Sequence, residues 1–123
     1  MGRMTPTVLV VDDHPSFRRV ARALLEAEGY DVVGEAPDGI SALEAAQRLQ
    51  PQVVLLDIQL PDIDGFEVAR RLTTEHTTPT PPIIVLISSR AICDYGMLVE
   101  RSGAQGFLCK SDLSGASLAA LLA

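Results

Sequence analysis

The sequence predicts an α/β fold, a doubly wound five-stranded parallel sheet with helices on both faces. Short apolar runs of strand length (Val8 to Val11, Val53 to Leu56, Ile83 to Ile87) alternate with helical patterns. The run from Val53 to Leu56 is apolar at every position, as a strand covered on both sides must be. Five strand-then-helix units in a row demand crossover connections, and these make neighbouring strands parallel.

Each element follows from local chemistry. Thr7 to Val11 is β-rich and ends in Asp12-Asp13; His14-Pro15 follows, with proline suited to a first helical turn. Phe17, Val20, Ala21, Leu24 and Leu25 recur at helical spacing and predict one buried face, and Gly29 stops that helix. Arg18, Arg19 and Arg22 read as a solvated face of the same helix, with partner docking as the alternative. Asp31 to Ala36 is a second strand, Pro37-Asp38-Gly39 a turn, and Ile40 to Leu49 a second helix. After the third strand, Leu60 to Gly65 is a loop rich in turn formers, and Phe66 to Leu72 a third helix. Thr73 to Pro82 reads as a surface loop before the fourth strand, which ends in Ser88-Ser89. Ala91 to Arg101 predicts a fourth helix weakened by Gly96, Gly106 to Cys109 a fifth strand, and Leu113 to Leu122 a fifth helix.

Composition bounds the function. The 123 residues carry sixteen acidic against ten basic side chains, a net charge of −6, which argues against direct nucleic-acid binding. No apolar run approaches a membrane span, and the first residues lack a signal-peptide core, so a cytoplasmic location is expected with no membrane contact. Two cysteines, Cys93 and Cys109, are too few for a disulfide framework. Residues 1–6 are expected to be a flexible N-terminus and residues 7–123 a single domain.

In open parallel sheets the ligand site lies beyond the carboxyl ends of the strands. Those ends carry Asp12-Asp13, Asp57, Ser88-Ser89 and Lys110. Each alone reads as a cap, a turn former or a solvated charge. Together they bring three carboxylates, a hydroxyl and an ammonium to one rim. Crowded carboxylates call for a cation, and hard oxygen donors favour Mg2+ or Mn2+. The ammonium could neutralise a phosphoryl group on one aspartate, and the serine could donate to its oxygens. Neither GxxxxGK[ST] nor GxGxxG occurs, so the usual nucleotide cradles are missing.

From Val8 to about Leu122 the chain resembles the receiver domain of bacterial two-component response regulators, the chemotaxis-regulator-like fold. Val10-Val11-Asp12-Asp13-His14-Pro15 resembles the family's acidic first loop, and Val54 to Gly65 its phosphorylation loop. Ser88 stands at the switch hydroxyl position, and Gly106-Phe107-Leu108-Cys109-Lys110 supplies the aromatic switch and active-site lysine. The resemblance implies a flavodoxin-like strand order 2-1-3-4-5. It implies that Asp57 accepts a phosphoryl group from a sensor histidine kinase or phosphotransfer protein, assisted by Lys110 and Ser88. It also implies Mg2+ (or Mn2+) on Asp13, Asp57 and the Gln59 main-chain carbonyl, with Asp12 acting through water. Ser88 and Phe107 would then switch an output surface formed by the fourth helix, fifth strand and fifth helix, with a homodimer as one possible result.

Some positions depart from the family pattern. Ser111 replaces a proline often preceded by a cis bond, so a cis Lys110–Ser111 bond would be stored strain. Ser89 replaces the alanine or glycine common after the switch hydroxyl, which should change access to the phosphoryl group; Arg90 and Gln59 flank the attack path and should tune the lifetime of the mark. Phe107 lacks a phenolic hydroxyl. His14 reads as a cap residue, with metal ligation the alternative.

The opening Asp12-Asp13-His14-Pro15 and the closing Lys110-Ser111-Asp112-Leu113-Ser114 most resemble receivers attached to a LuxR/NarL-type helix-turn-helix domain. The chain therefore reads as a phosphoacceptor rather than an enzyme, excised from a transcriptional regulator. A stand-alone or phosphorylation-independent binding module is one rival. A dehalogenase-type phosphatase is another, disfavoured because residue 59 is glutamine where a second aspartate is wanted.

Overall fold

The computed structural model describes residues 6–74, 81–89 and 101–122. Five parallel strands lie in the order β2-β1-β3-β4-β5: β1 (Thr7–Val11), β2 (Asp31–Ala36), β3 (Val53–Asp57), β4 (Ile83–Ser88) and β5 (Gly106–Cys109). Among the described residues there are four α-helices: α1 (Pro15–Ala27), α2 (Gly39–Leu49), α3 (Gly65–Thr74) and α4 (Gly115–Leu122). The predicted architecture and strand order are both observed. The helix expected over Ala91 to Arg101, with Gly96, Cys93 and Arg90, lies outside the described residues except for Arg101, as does the expected N-terminal tail except for Pro6. The Pro6 carbonyl accepts the Asp31 N–H at 3.0 Å.

Local signals set the helix boundaries. Pro15 opens α1, and Gly29, at φ +93°, closes it by letting Tyr30 N–H reach back to the Leu25 carbonyl. Asp38 and Ser41 form a reciprocal capping box on α2. Asp64 caps α3 by accepting the Glu67 N–H at 2.8 Å. Ser114 and Ser117 exchange backbone and hydroxyl bonds at the start of α4.

The sheet divides the core by side-chain alternation. Leu9, Val11, Val54, Leu56, Ile84 and Leu86 face α2 and α3. Val8, Val10, Val53, Leu55, Val85 and Ile87 face α1 and α4, meeting Ala21, Leu25 and Leu118. The apolar stripe of α1 is wider than its contact. Ala21 and Leu25 are buried and Phe17 packs against them, but Val20 is 54% exposed and Leu24 39%. The inward line follows 17, 21 and 25, while 20 and 24 stand on the flank.

Candidate functional site

The same period-2 alternation carries the chemistry past the strand ends. Asp12 continues the Val8, Val10 face of β1; Asp57 continues Val53, Leu55; Lys110 continues Leu108. All three therefore emerge on the α1 side of one rim. Lys110 Nζ lies 2.5 Å from Asp12 Oδ2 and 3.3 Å from Asp57 Oδ2, bridging the first and third strands from beyond the fifth. Its ammonium also stands 4.7 Å from the centre of the Phe17 ring on α1, a cation–π contact. Phe17, read from sequence only as core, thus supports the site lysine.

Asp12 and Asp57 are almost fully buried. Asp57 Oδ1 accepts the Gln59 N–H at 3.1 Å. Asp12 Oδ1 accepts the His14 N–H at 2.8 Å, and His14 Nδ1 lies 3.0 Å from both Asp12 Oδ1 and Asp13 Oδ1. His14 precedes α1 at the cap position, yet its side chain makes no cap bond and turns to the carboxylates. Asp13 and His14 are the exposed members of the cluster. Asp12 Oδ2 has the lysine ion contact but no aligned hydrogen bond among the described residues.

Ser88 is buried at the end of β4, one residue past the Asp57–Ile87 register pair. Its alternation follows Ile84 and Leu86, as that of Phe107 follows the α2/α3 side of the sheet. Ser88 and Phe107 therefore share one alternation phase, one residue out of step with Asp57 and Lys110 at the same carboxyl rim. The Lys110–Ser111 bond is trans, since no cis peptide occurs among the described residues. The stored strain that a cis bond would have held here is absent; without proline the trans amide is strongly preferred.

Electrostatics match this crowding. Burial, then the neighbouring Asp12, push the Asp57 carboxyl up to about 6, against the opposing effects of Gln59 N–H and Lys110. Burial alone would lower Lys110, but Asp12 and Asp57 together hold it above the usual lysine value. Ligand atoms of Asp12, Asp13, His14 and Asp57 lie within 4.8 Å of one another. Three carboxylates against one ammonium leave excess negative charge in a pocket buried at Asp12 and Asp57 and open at Asp13 and His14. A hard divalent cation fits that donor set.

The loop of residues 58–64, between β3 and α3, is fixed by residues that read only as turn formers. Asp62 accepts the Gly39 and Ile40 N–H groups at 2.8 Å each, tying the loop after β3 to the free amino end of α2. Gly65 N–H bonds the Ile58 carbonyl at 2.7 Å. A Cβ on Gly65 would overlap the Asp57 carbonyl oxygen. The spacing of Asp57, Asp62 and Gly65 was visible in sequence, but the cross-loop partners were not.

Arg18 and Arg22 are not merely solvated. Both bond Glu35 on β2, Arg18 Nε at 3.1 Å and Arg22 Nε at 2.7 Å. Each also reaches a main-chain carbonyl, Arg18 that of Asp12 and Arg22 that of Val32. Only Arg19 is an exposed residue of the three.

Fold and site together define a doubly wound α/β domain with an acidic, lysine-bridged rim at the carboxyl end of a 2-1-3-4-5 parallel sheet. The chain belongs to the response regulator receiver domain family, whose model matches residues 8–121. It is 37% identical over 105 residues to the virulence-factor transcription regulator BvgA of Bordetella pertussis, covering 85% of this chain and 49% of that protein. It is 41% identical over 112 residues to the nitrate/nitrite response regulator NarP of Escherichia coli, covering 89% of this chain and 51% of that protein. The signal receiver domain of a NarL response regulator from Mycobacterium tuberculosis superposes with a TM-score of 0.82 at 35% identity, covering 98% of each chain. The chain spans about half the length of these curated relatives. It is a receiver domain of two-component signal transduction. Among the described residues no helix is long and apolar enough to cross a membrane.

Proposed function

We propose that Asp57 accepts a phosphoryl group from a phosphohistidine on a sensor kinase or phosphotransfer protein. The observation that carries this reading is the Lys110 ammonium held between two buried carboxylates, Asp12 and Asp57, at a sheet rim. An Asp57 carboxylate oxygen attacks phosphorus, the phosphorus–nitrogen bond breaks, and its electron pair returns to the donor imidazole. Lys110 balances charge on the transferred oxygens, and the Ser88 hydroxyl donates to one of them. Mg2+ or Mn2+, held by Asp13, Asp57 and the Gln59 carbonyl with Asp12 through water, would supply charge neutralisation and orientation. Water hydrolyses the resulting acyl phosphate, so the mark is reversible.

Rearrangement of Ser88 and Phe107 would pass the signal to the output surface, of which β5 and α4 are described; the fourth helix expected there falls outside the described residues except for Arg101. The domain, residues 7–123, acts in the cytoplasm as a phosphoacceptor rather than as an enzyme with a diffusible substrate. Its output is a DNA-binding domain outside these residues, as the relation to BvgA and NarP supports, with phosphorylation favouring a homodimer. The test is intact mass after incubation with acetyl phosphate, with and without Mg2+. One Mg2+-dependent adduct, absent from Asp57→Asn, is expected. Continuous phosphate release by the wild type without an adduct, lost in Asp57→Asn, would instead indicate a dehalogenase-type phosphatase or a mark too short-lived to trap.

A further inference from the structure

Two arginines share one glutamate, but only one of them reaches the acidic loop. Glu35 receives Arg18 Nε at 3.1 Å and Arg22 Nε at 2.7 Å, so α1 is clamped to the edge strand β2. Beyond the clamp their second nitrogens diverge. Arg22 Nη1 donates to the Val32 carbonyl at 3.1 Å, within β2 and away from the site. Arg18 Nη1 donates to the Asp12 carbonyl at 2.6 Å. The Asp12 N–H is itself fixed on the Ala36 carbonyl at 3.0 Å, at the end of β2. The backbone of Asp12 is thus held on both sides from the same strand, directly through Ala36 and through Glu35 and Arg18.

The carboxylate of Asp12 is fully buried and sits against Lys110, so its direction depends on how this peptide is held. The Arg18 side chain is only 17% exposed, less than the 35% of Arg22, and its planar fork can meet a carboxylate and a carbonyl together. We infer that Arg18 is a positioning residue of the acidic pocket, orienting Asp12 and Asp13 for a divalent cation through the Asp12 carbonyl, with Glu35 fixing Arg18. The inference rests on the metal-assisted reading proposed above.

Charge and position predict opposite signs. Removing a cation near a metal site should tighten binding by Coulomb's law alone. Loss of a group that orients the ligands should instead weaken it, by about tenfold or more. The experiment measures Mn2+ affinity by electron paramagnetic resonance for the wild type, Arg18→Met, Arg18→Lys and Arg22→Met, with a thermal melt of each. The Asp13 amide nitrogen shift is recorded in the metal-free proteins, because the Arg18 bond polarises the peptide joining Asp12 to Asp13.

Both methionine variants should lose stability. Only the Arg18 variants should bind Mn2+ more weakly and move the Asp13 shift, Arg18→Lys by less because its ammonium can still donate to one of the two acceptors. Equal or tighter Mn2+ binding by Arg18→Met, or matching losses in Arg22→Met, would overturn the inference while leaving the metal reading intact. A wild type that binds no Mn2+ would overturn both.

Discussion

Asp57 is the residue on which the chemistry and the stability of this domain pull in opposite directions. Burial and Asp12 raise its carboxyl to about 6, so the folded state resists the ionisation that a nucleophile requires. A raised carboxyl pKa means that the native state holds protons the unfolded state has released. Stability therefore falls as pH rises from about 4 through about 6, and the deficit persists at neutral pH. Asp57→Asn should raise the melting temperature at pH 7, by about 1–3 kcal/mol in free energy, with the gain vanishing towards pH 4. Thermal melts of both proteins across that range check the sign; a neutral-pH loss on mutation would contradict it. Mg2+ favours the ionised form, so the phosphorylation rate should fall with acid, and saturating Mg2+ should move that limb to lower pH. Rates with acetyl phosphate at two Mg2+ concentrations measure the displacement.

At the scale of elements, the loop between β3 and α3 is where precise backbone placement matters most. Gly65→Ala would drive a Cβ into the backbone of Asp57 and Ile58, which cannot step aside as a side-chain tip could. A cost of about 1–3 kcal/mol is expected, together with slower phosphorylation, because the displaced atoms belong to Asp57, the proposed phosphoacceptor. Asp62→Ala should have a smaller effect of the same kind by freeing the Gly39 and Ile40 N–H groups. Chemical denaturation and acetyl phosphate kinetics on both variants would test that order. Strand positions were legible because apolar runs such as Val53 to Leu56 have no competing reading. Helix faces were less so: Val20 and Leu24 fit the helical period of α1 yet lie on its flank. Their exposure depends on how α1 is seated, which periodicity alone does not fix.

For the whole molecule, the site was readable because the topology turns distant residues into neighbours. Asp12, Asp57 and Lys110 are separated by most of the chain, but each stands at a strand's carboxyl end and on the same alternation phase. Side-chain reach was not readable. The turn of His14 towards two carboxylates, the ring of Phe17 beside Lys110 and the fork of Arg18 onto Asp12 depend on rotamers that spacing does not encode. The trans Lys110–Ser111 bond likewise reflects the residue present rather than the family pattern.

The central claim is that this pocket places a phosphoryl group on Asp57 and on no other carboxylate. The most direct measurement treats the protein with acetyl phosphate and Mg2+, reduces it with borohydride and maps the peptides by mass spectrometry. Reduction converts an aspartyl phosphate into homoserine at the modified position. Homoserine at Asp57, dependent on Mg2+, is the predicted result; homoserine at Asp12 or Asp13, or none at any aspartate, would contradict the account.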